Sequence, residues 1–158
     1  MILIRHYNWC GHDIRFVEKN GEWWAIVEDI TIALNDSTWT GAIERELDTS
    51  LLIEVNISKK ANKPDWKLVV NEIGLYAILL NSNCLEARNF RRWTGSVLQK
   101  LRKRVGLEGY EVMRMTEPEI QEDIDRILDT LYWDEETGKL MQSVTVQGGD
   151  VEQVPFEE

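Results

Sequence analysis

Histidine and cysteine, the residues that most often bind zinc or act as nucleophiles, are scarce in this sequence. His6, Cys10 and His12 lie close together near the start of the chain, and the only other cysteine is Cys84. The four side chains could ligate zinc, but the spacing H-x3-C-x-H matches none of the common structural zinc patterns. We favour the alternative, an N-terminal strand and turn with incidental polar side chains, and expect no metal.

Motifs of catalysis and of nucleotide binding are absent from the sequence. It contains no G-x-x-x-x-G-K-[ST], no G-x-G-x-x-G, no H-E-x-x-H and no C-x-x-C. A nucleophile relay based on histidine has only His6 and His12 to use, both near the N-terminus. We therefore expect a binding protein with no cofactor, rather than an enzyme.

The strongest chemical signal is a run of cations uninterrupted by any acidic residue. It lies between residues 88 and 104 and comprises Arg88, Arg91, Arg92, Lys100, Arg102, Lys103 and Arg104. A smaller group, Lys59, Lys60 and Lys63, lies in the polar stretch 58–65. Lysine and arginine are the residues that position a protein on the phosphates of DNA. Both groups are candidate contacts to duplex DNA, and an ordinary solvated surface is the alternative for each.

The net charge of −10 is unevenly distributed along the 158 residues. Residues 1–114 carry 16 basic and 15 acidic side chains, a net of +1, whereas residues 115–158 carry 2 basic and 13 acidic ones, a net of −11. This length allows one full core plus an appendage. We expect a domain over residues 1–114, followed by an acidic segment, 115–158, that forms a helix, a hairpin and a frayed tail.

A helix that begins near Leu85 would position the cations. At about 100° per residue, Phe90, Trp93, Val97 and Leu101 form one apolar stripe, while most of the cations fall on the opposite side. The pattern predicts a helix whose aromatic edge is sunk in the core and whose cations face solvent. Gly95, in its middle, either permits a close backbone approach or marks a kink.

Hairpins and short helices are predicted before this helix. Asn20-Gly21 is a strong type I′ turn signal between strands at 14–17 and 23–27. The other predicted elements are a helix from Glu28 to Leu34, a second short helix with Trp39, Ile43 and Leu47 on one face, an antiparallel strand pair at 51–57 and 67–70, and a helix begun by Asn71-Glu72. The last of these contains the longest apolar run, Ile73 to Leu80, which we expect to be buried.

The acidic segment has its own pattern. Thr116 to Glu119 predicts a capping box with proline in the first turn. An apolar stripe at helical spacing follows: Ile120, Ile124, Ile127, Leu128 and Leu131. This stripe is a candidate contact for a partner protein or for a second copy of the chain, or it covers a sheet. A hairpin turn with Gly138, a strand over 140–146 and a frayed end over 147–158 complete the prediction.

Together these elements predict an α+β fold, with small antiparallel sheets made of hairpins that pack against about four helices, plus the C-terminal helix and hairpin. The apolar start, Met1 to Ile4, is stopped by Arg5 and has no features of a signal peptide. No apolar run approaches the roughly 20 residues that span a bilayer. We expect a cytoplasmic protein with free thiols and no membrane contact.

Three stretches of the sequence form a recognisable set: WWAIVEDITIAL at 23–34, VNEIGLYAILLNS at 70–82, and ARNFRRW at 87–93 followed by Val97-Leu98. In this order they resemble the Bro-N domain of phage and prophage antirepressors and of the baculovirus repeated-ORF proteins. The resemblance covers about Asp13 to Tyr110. Gln99 stands where the family usually has proline, and the loop 58–65 differs. We expect the short acidic segment after Met115 to take the place of the family's larger C-terminal domain.

This resemblance implies a small α+β domain, DNA binding in some members, a role in phage gene regulation, and no catalytic residues. We therefore expect an antirepressor-like regulator that binds duplex DNA through its basic helix. The alternative is an inhibitor that binds a repressor or another host regulator through the acidic C-terminal segment.

Overall fold

The computed structural model describes residues 2–35 and 47–156. The second short helix expected from the sequence, with Trp39 and Ile43, lies outside the described residues. Contacts divide the chain into two compact units, residues 1–92 and residues 93–158. The domain boundary expected after residue 114 stays a prediction.

A five-stranded antiparallel sheet forms the first unit. Its strands are β1 (Ile4–Trp9), β2 (His12–Lys19), β3 (Glu22–Ile26), β4 (Leu52–Asn56) and β5 (Trp66–Val70), in the order β1-β2-β3-β5-β4. Asn20 (φ 55°) and Gly21 (φ 82°) both adopt positive φ between β2 and β3. A type I′ turn requires this conformation, so the predicted hairpin is confirmed, as is the β4–β5 pair.

Helix α1 (Val27–Ala33) lies between β3 and β4 in the chain, and α2 (Glu72–Asn81) follows β5. Helix α3 (Leu85–Arg104) begins in the first unit and ends in the second. Ile30, Leu34 and Ile78 from the helical segments pack with Ile14 and Val70 of the sheet in one buried cluster. Asn71 caps α2 by accepting a hydrogen bond from the backbone N of Gly74 at 2.9 Å. The predicted start of this helix is confirmed.

The expectation that the apolar run 73–80 is buried was wrong for part of it. Ile73 is 66% exposed and Tyr76 is also exposed, whereas Gly74 and Ile78 are buried. A Cβ on Gly74 would overlap Cγ2 of Val70, the last residue of β5, and would lie 3.2 Å from Cβ of Leu51, so the first turn of α2 has no room for a side chain there. Only one side of a helix can face the sheet in this way, so an uninterrupted apolar sequence leaves the other side exposed.

The buried carboxylate of Asp29 accepts hydrogen bonds from Arg15, a contact that was not predicted from the sequence. The Arg15 guanidinium donates to both carboxylate oxygens of Asp29, at 2.7 and 2.8 Å, and the Arg15 backbone N donates to Oδ2 at 2.9 Å. Burial alone would raise the pKa of Asp29, but these hydrogen bonds outweigh it and hold the pKa below its usual value. The pair joins the start of α1 to the middle of β2.

The second unit contains α4 (Pro118–Asp129) and a three-stranded antiparallel sheet. Strands β6 (Leu131–Asp134), β7 (Lys139–Thr145) and β8 (Val151–Pro155) lie in the order β6-β7-β8, and a 3-10 helix spans Gly109–Thr116. Its buried cluster consists of Leu107, Ile120 and Ile124. The turn between β6 and β7 places Gly138 at φ 63°, as predicted.

Three expectations for this unit were wrong. Glu117, not Thr116, occupies the N-cap position of α4, and its side chain makes no cap hydrogen bond. The Thr116 hydroxyl donates to the Met113 carbonyl. The helix ends at Asp129, so Leu131 begins β6 rather than extending the helical stripe. The end of the chain is not frayed over 151–155, because β8 pairs along β7.

The α+β fold with small antiparallel sheets is confirmed. In the part of the chain that the structure describes, no helix combines the length and the apolar character needed to cross a bilayer.

Candidate nucleic-acid interface

Helix α3 carries every cation of the predicted basic run. In the first unit, Arg88, Arg91 and Arg92 are exposed. Arg91 donates from Nη1 to the carbonyl oxygen of Leu80 at 3.1 Å, near the C-terminal end of α2. A cation at a helix C-terminus is favourably placed, because the carbonyl groups there carry partial negative charge. This contact orients the Arg91 guanidinium without neutralising it.

The cations of α3 in the second unit have more contacts. Arg102 is half-buried and donates to the Leu107 carbonyl at 2.5 Å, so it closes the chain reversal after the helix. Arg104 donates to the side-chain oxygen of Gln142, and its guanidinium lies 5.1 Å from the Phe156 ring centroid. Lys100 and Lys103 are exposed.

None of these seven cations forms an ion pair with another described residue. Ion pairs of the described chain instead involve His6, Arg15, Lys67, Arg114 and Arg126. An unpaired surface cation keeps its full charge for an external anion, subject to screening by salt. The predicted exposure of the cations is therefore confirmed for six of them, and Arg102 is the half-buried exception.

The predicted burial of the aromatic edge of α3 was wrong for Trp93, which is 61% exposed. Phe90 is half-buried and stacks on Tyr76 with 6.0 Å between ring centroids. Val97 and Leu101 are half-buried too, and of the four only Leu101 packs against a buried cluster of the described residues. An apolar stripe that is predicted from helical spacing is therefore not necessarily buried along its whole length.

The second predicted group, Lys59, Lys60 and Lys63, is exposed at the tip of the β4–β5 hairpin. Asn56 fastens the base of this tip, because its Oδ1 accepts hydrogen bonds from the backbone N of Ser58 at 3.1 Å and of Asp65 at 2.9 Å. The structure places these lysines on a separate element from α3. A tip held in this way can present its ammonium groups with little loss of backbone entropy on binding.

The predicted partner contacts are divided between interior and surface. Ile120 and Ile124 are buried with Leu107, whereas Ile127 and Leu131 are half-buried. Their role in partner binding stays a prediction. The acidic side of α4 is exposed and consists of Glu119, Glu122, Asp123, Asp125 and Asp129. Arg126 pairs with Glu122 at 3.7 Å and with Asp123 at 2.6 Å.

Histidine and cysteine side chains form no evident reactive centre. His6 Nδ1 lies 2.7 Å from Asp13 Oδ2, and both residues are exposed. Desolvation and the neighbouring Glu86 raise the pKa of the Cys10 thiol, which favours the protonated form, a poor nucleophile and metal ligand. Within residues 2–35 and 47–156, no three histidine, cysteine, aspartate or glutamate side chains are grouped as a metal site.

A comparison with known protein families finds a match that includes most of the helix that carries the cations. The family described as BRO family, N-terminal domain (Bro-N), matches residues 13–99, more than half of the chain. This domain is associated with antirepressor-type and DNA-binding regulators and is not known as enzymatic. Neither the curated proteins nor the solved structures include a significant match. The match covers four of the five strands of the sheet, β2 to β5, and most of α3, and this chain therefore belongs to the BRO family and carries its N-terminal domain.

Proposed function

We propose that this protein is a regulator of the phage or prophage antirepressor type that binds duplex DNA through the cations of α3. The observation that supports this proposal most is the charge of that helix, whose exposed cations have no carboxylate partner among the described residues. Association with DNA-binding regulators is a property of the family as a whole. The cytoplasmic location expected from the sequence stays a prediction.

The cations of α3 would bind the phosphate groups of DNA. Arg88 and Arg92 have exposed guanidinium groups, and a guanidinium can bind a phosphate through two parallel hydrogen bonds. A helix of 20 residues is about 30 Å long, close to the roughly 34 Å of one turn of DNA. The lysines of the β4–β5 tip would add further phosphate contacts. Binding of this kind is dominated by counterion release and depends strongly on salt.

The test is a salt titration of duplex binding, measured by fluorescence anisotropy with the full chain. We expect log Kd against log salt to be linear, with a slope of about 0.9 per phosphate neutralised. The double variant Arg88→Ala/Arg92→Ala should weaken binding and lower that slope by roughly 2. Arg126→Ala is the matched control, because Arg126 is exposed but already paired with two carboxylates. Equal affinity and slope for the parent and the double variant would refute the proposal.

A second candidate function is binding of a repressor or other host regulator by the acidic side of α4. Its exposed carboxylates could occupy a basic, DNA-binding surface of such a partner. Deleting the segment after residue 115 would not test this, because Ile120 and Ile124 form the core of the second unit. The triple variant Glu119→Gln/Asp125→Asn/Asp129→Asn retains that core and removes three charges.

The second candidate is tested by using titration calorimetry to measure the binding of a short peptide rich in lysine and arginine. The triple variant should lose most of the heat of binding, while Glu22→Gln, an exposed carboxylate of the first unit, should not. Analytical ultracentrifugation of the same proteins measures whether the chain forms a homodimer, which stays a prediction. Binding that is unchanged in the triple variant would exclude the acidic side of α4 as the contact.

A further inference from the structure

An open apolar cleft of about 750 Å³ lies within the second unit. Its walls come from α3, from the segment that ends α4 and begins β6, and from the sheet. The side chains that matter most are Trp93, Val97, Leu128, Trp133, Leu140 and Phe156. They converge only in the folded unit, because they come from residues more than 60 positions apart in the chain.

Large apolar side chains at this cleft face solvent. Trp133 is 63% exposed, and Trp93, Leu128 and Leu140 are also exposed. Tryptophan has much apolar surface to bury and few rotatable bonds, which is why it is often the residue that anchors a protein interface. Clustered exposed apolar side chains mark interaction sites more often than isolated ones do.

Charge at the rim restricts what can bind. Lys100 and Lys139 line the cleft, and neither forms an ion pair with a described residue. Residues 93–158 contain 15 acidic and 7 basic side chains, yet no described carboxylate lines this cleft. An apolar floor with cations at its rim is complementary to an apolar side chain flanked by carboxylates.

We infer that this cleft docks an acidic, amphipathic segment of a partner protein, with its aromatic or aliphatic side chains between Trp93 and Trp133 and its carboxylates at Lys100 and Lys139. A helix placed in a groove presents anchors at every third or fourth residue, which suits a cleft of this size. This site is separate from the acidic side of α4. It shares Lys100 with the proposed DNA contact, so the variants that test it change other residues.

A nucleic acid suits the cleft less well. Single strands stack their bases on aromatic side chains, but they also need a cationic path along the phosphates. The lining here is mostly apolar, and its two lysines are too few to form a continuous path along the phosphates. An acidic peptide makes use of both lysines and of the apolar floor.

The probe is a fluorescein-labelled helical peptide with leucine and tryptophan at every third or fourth position and glutamate or aspartate between them. Its matched control has glutamine in place of each acid, because a cationic peptide could bind the acidic side of α4 instead. A labelled thymidine single strand tests the nucleic-acid alternative. Fluorescence anisotropy with the full chain should show the acidic peptide binding at least about tenfold more tightly than the glutamine peptide.

Variants then locate the site. Trp133→Ala should weaken the acidic peptide by about tenfold or more, and Tyr110→Ala, an exposed aromatic residue outside the cleft, by less than about twofold. Lys139→Glu should reduce the preference for the acidic peptide, whereas Lys19→Glu in the first unit should not. Lys139 is exposed, so this variant tests the site even if Trp133→Ala fails to fold.

The inference is overturned if the two peptides bind equally well, if neither binds, or if the single strand binds more tightly than the acidic peptide. Equal effects of Trp133→Ala and Tyr110→Ala would also overturn it. The duplex titration described above uses different residues and a different probe, so either proposal can fail without the other.

Discussion

The two units of this protein differ in how completely they bury apolar side chains. In the first unit, Val17, Ile26, Val69, Val70 and Ile78 have 0% exposure. In the second, the best-buried apolar side chains among the described residues are Leu107, Ile120 and Ile124, which keep 8%, 7% and 8%. Large apolar residues of the second unit, such as Trp133 and Met113, are mostly exposed.

This difference indicates a division of roles between the units. Apolar burial contributes roughly 25 cal/mol per Å² removed from water, so the first unit gains more from its own folding. Both units expose large apolar side chains, such as Trp66 and Ile73 in the first and Trp133 and Met113 in the second, but the second also carries 15 of the 28 acidic residues in a shorter stretch of chain. We interpret the first unit as the better-packed part of the protein and the second as a surface that gains stability from binding. Four predictions test the contrast, in order of decreasing effect.

The largest effect is expected from emptying the two cores. Ile26→Ala should lower the free energy of unfolding by about 4 kcal/mol, because its wholly buried site leaves a cavity. Ile124→Ala should cost about 2 kcal/mol, since its site is smaller and nearer to solvent. Hydrogen exchange followed by mass spectrometry would assign each loss to its own unit. Equal losses would show that the second core is as well packed as the first.

Removing an ion pair should cost more unfolding free energy in the first unit than in the second. Asp29→Ala removes the buried partner of Arg15 and should cost about 3 kcal/mol of unfolding free energy, because the guanidinium loses two hydrogen bonds. Asp123→Ala removes a partner of the exposed Arg126 and should cost less than about 1 kcal/mol. Urea denaturation of both variants measures the difference. A cost at Asp123 as large as at Asp29 would contradict this interpretation.

Lowering the pH should remove part of the contribution that Asp29 makes to the free energy of unfolding. The pKa of Asp29 is lowered in the folded protein, so its carboxylate stabilises the fold above the ordinary aspartate pKa of about 3.9. That stability is lost as the pH falls through the lowered pKa, because the proton binds more tightly to the unfolded chain. The difference in unfolding free energy between parent and Asp29→Ala should therefore narrow from about pH 7 to about pH 3. A constant difference over that range would show that Asp29 is not titrating.

The smallest effects are expected at two helical glycines. Gly74→Ala should destabilise by about 1–3 kcal/mol, because its new methyl group would meet Val70. Gly95→Ala should stabilise by up to about 1 kcal/mol, since nothing lies within 4 Å of the position that a Cβ would take. Thermal unfolding measures both. If Gly95→Ala stabilises the protein but weakens duplex binding, the glycine serves a close approach to DNA; retained binding would leave only the helix effect.

Local signals in the sequence predicted much of the fold. The turn at Asn20-Gly21, the cap at Asn71 and the turn at Gly138 depend on the conformations that one or two residues prefer, and all three are confirmed. The cationic side of α3 was predictable because helical spacing alone places its residues. These features need no knowledge of distant parts of the chain.

Features that depend on distant residues were missed. The Arg15–Asp29 pair joins residues 14 positions apart on different elements, and both had been interpreted without reference to each other. Burial of Ile73 and Trp93 was overestimated, because hydrophobicity shows what a side chain prefers but not whether a neighbour is available to cover it. Strand β8 has a weak pattern of its own and is formed by pairing with β7. The apolar cleft could not be predicted either, because its walls come from several elements that are far apart in the sequence.

Arg102 has a consequence for any mutational survey of this helix. Its guanidinium already binds the carbonyl oxygen of Leu107, so truncating it to alanine would loosen the helix terminus and delete a positive charge in one stroke. Lysine at that position would keep the charge but lack the planar fork, and glutamine would keep a donor without the charge. Comparing these two replacements separates a scaffold defect from an electrostatic one, which an alanine scan alone would merge.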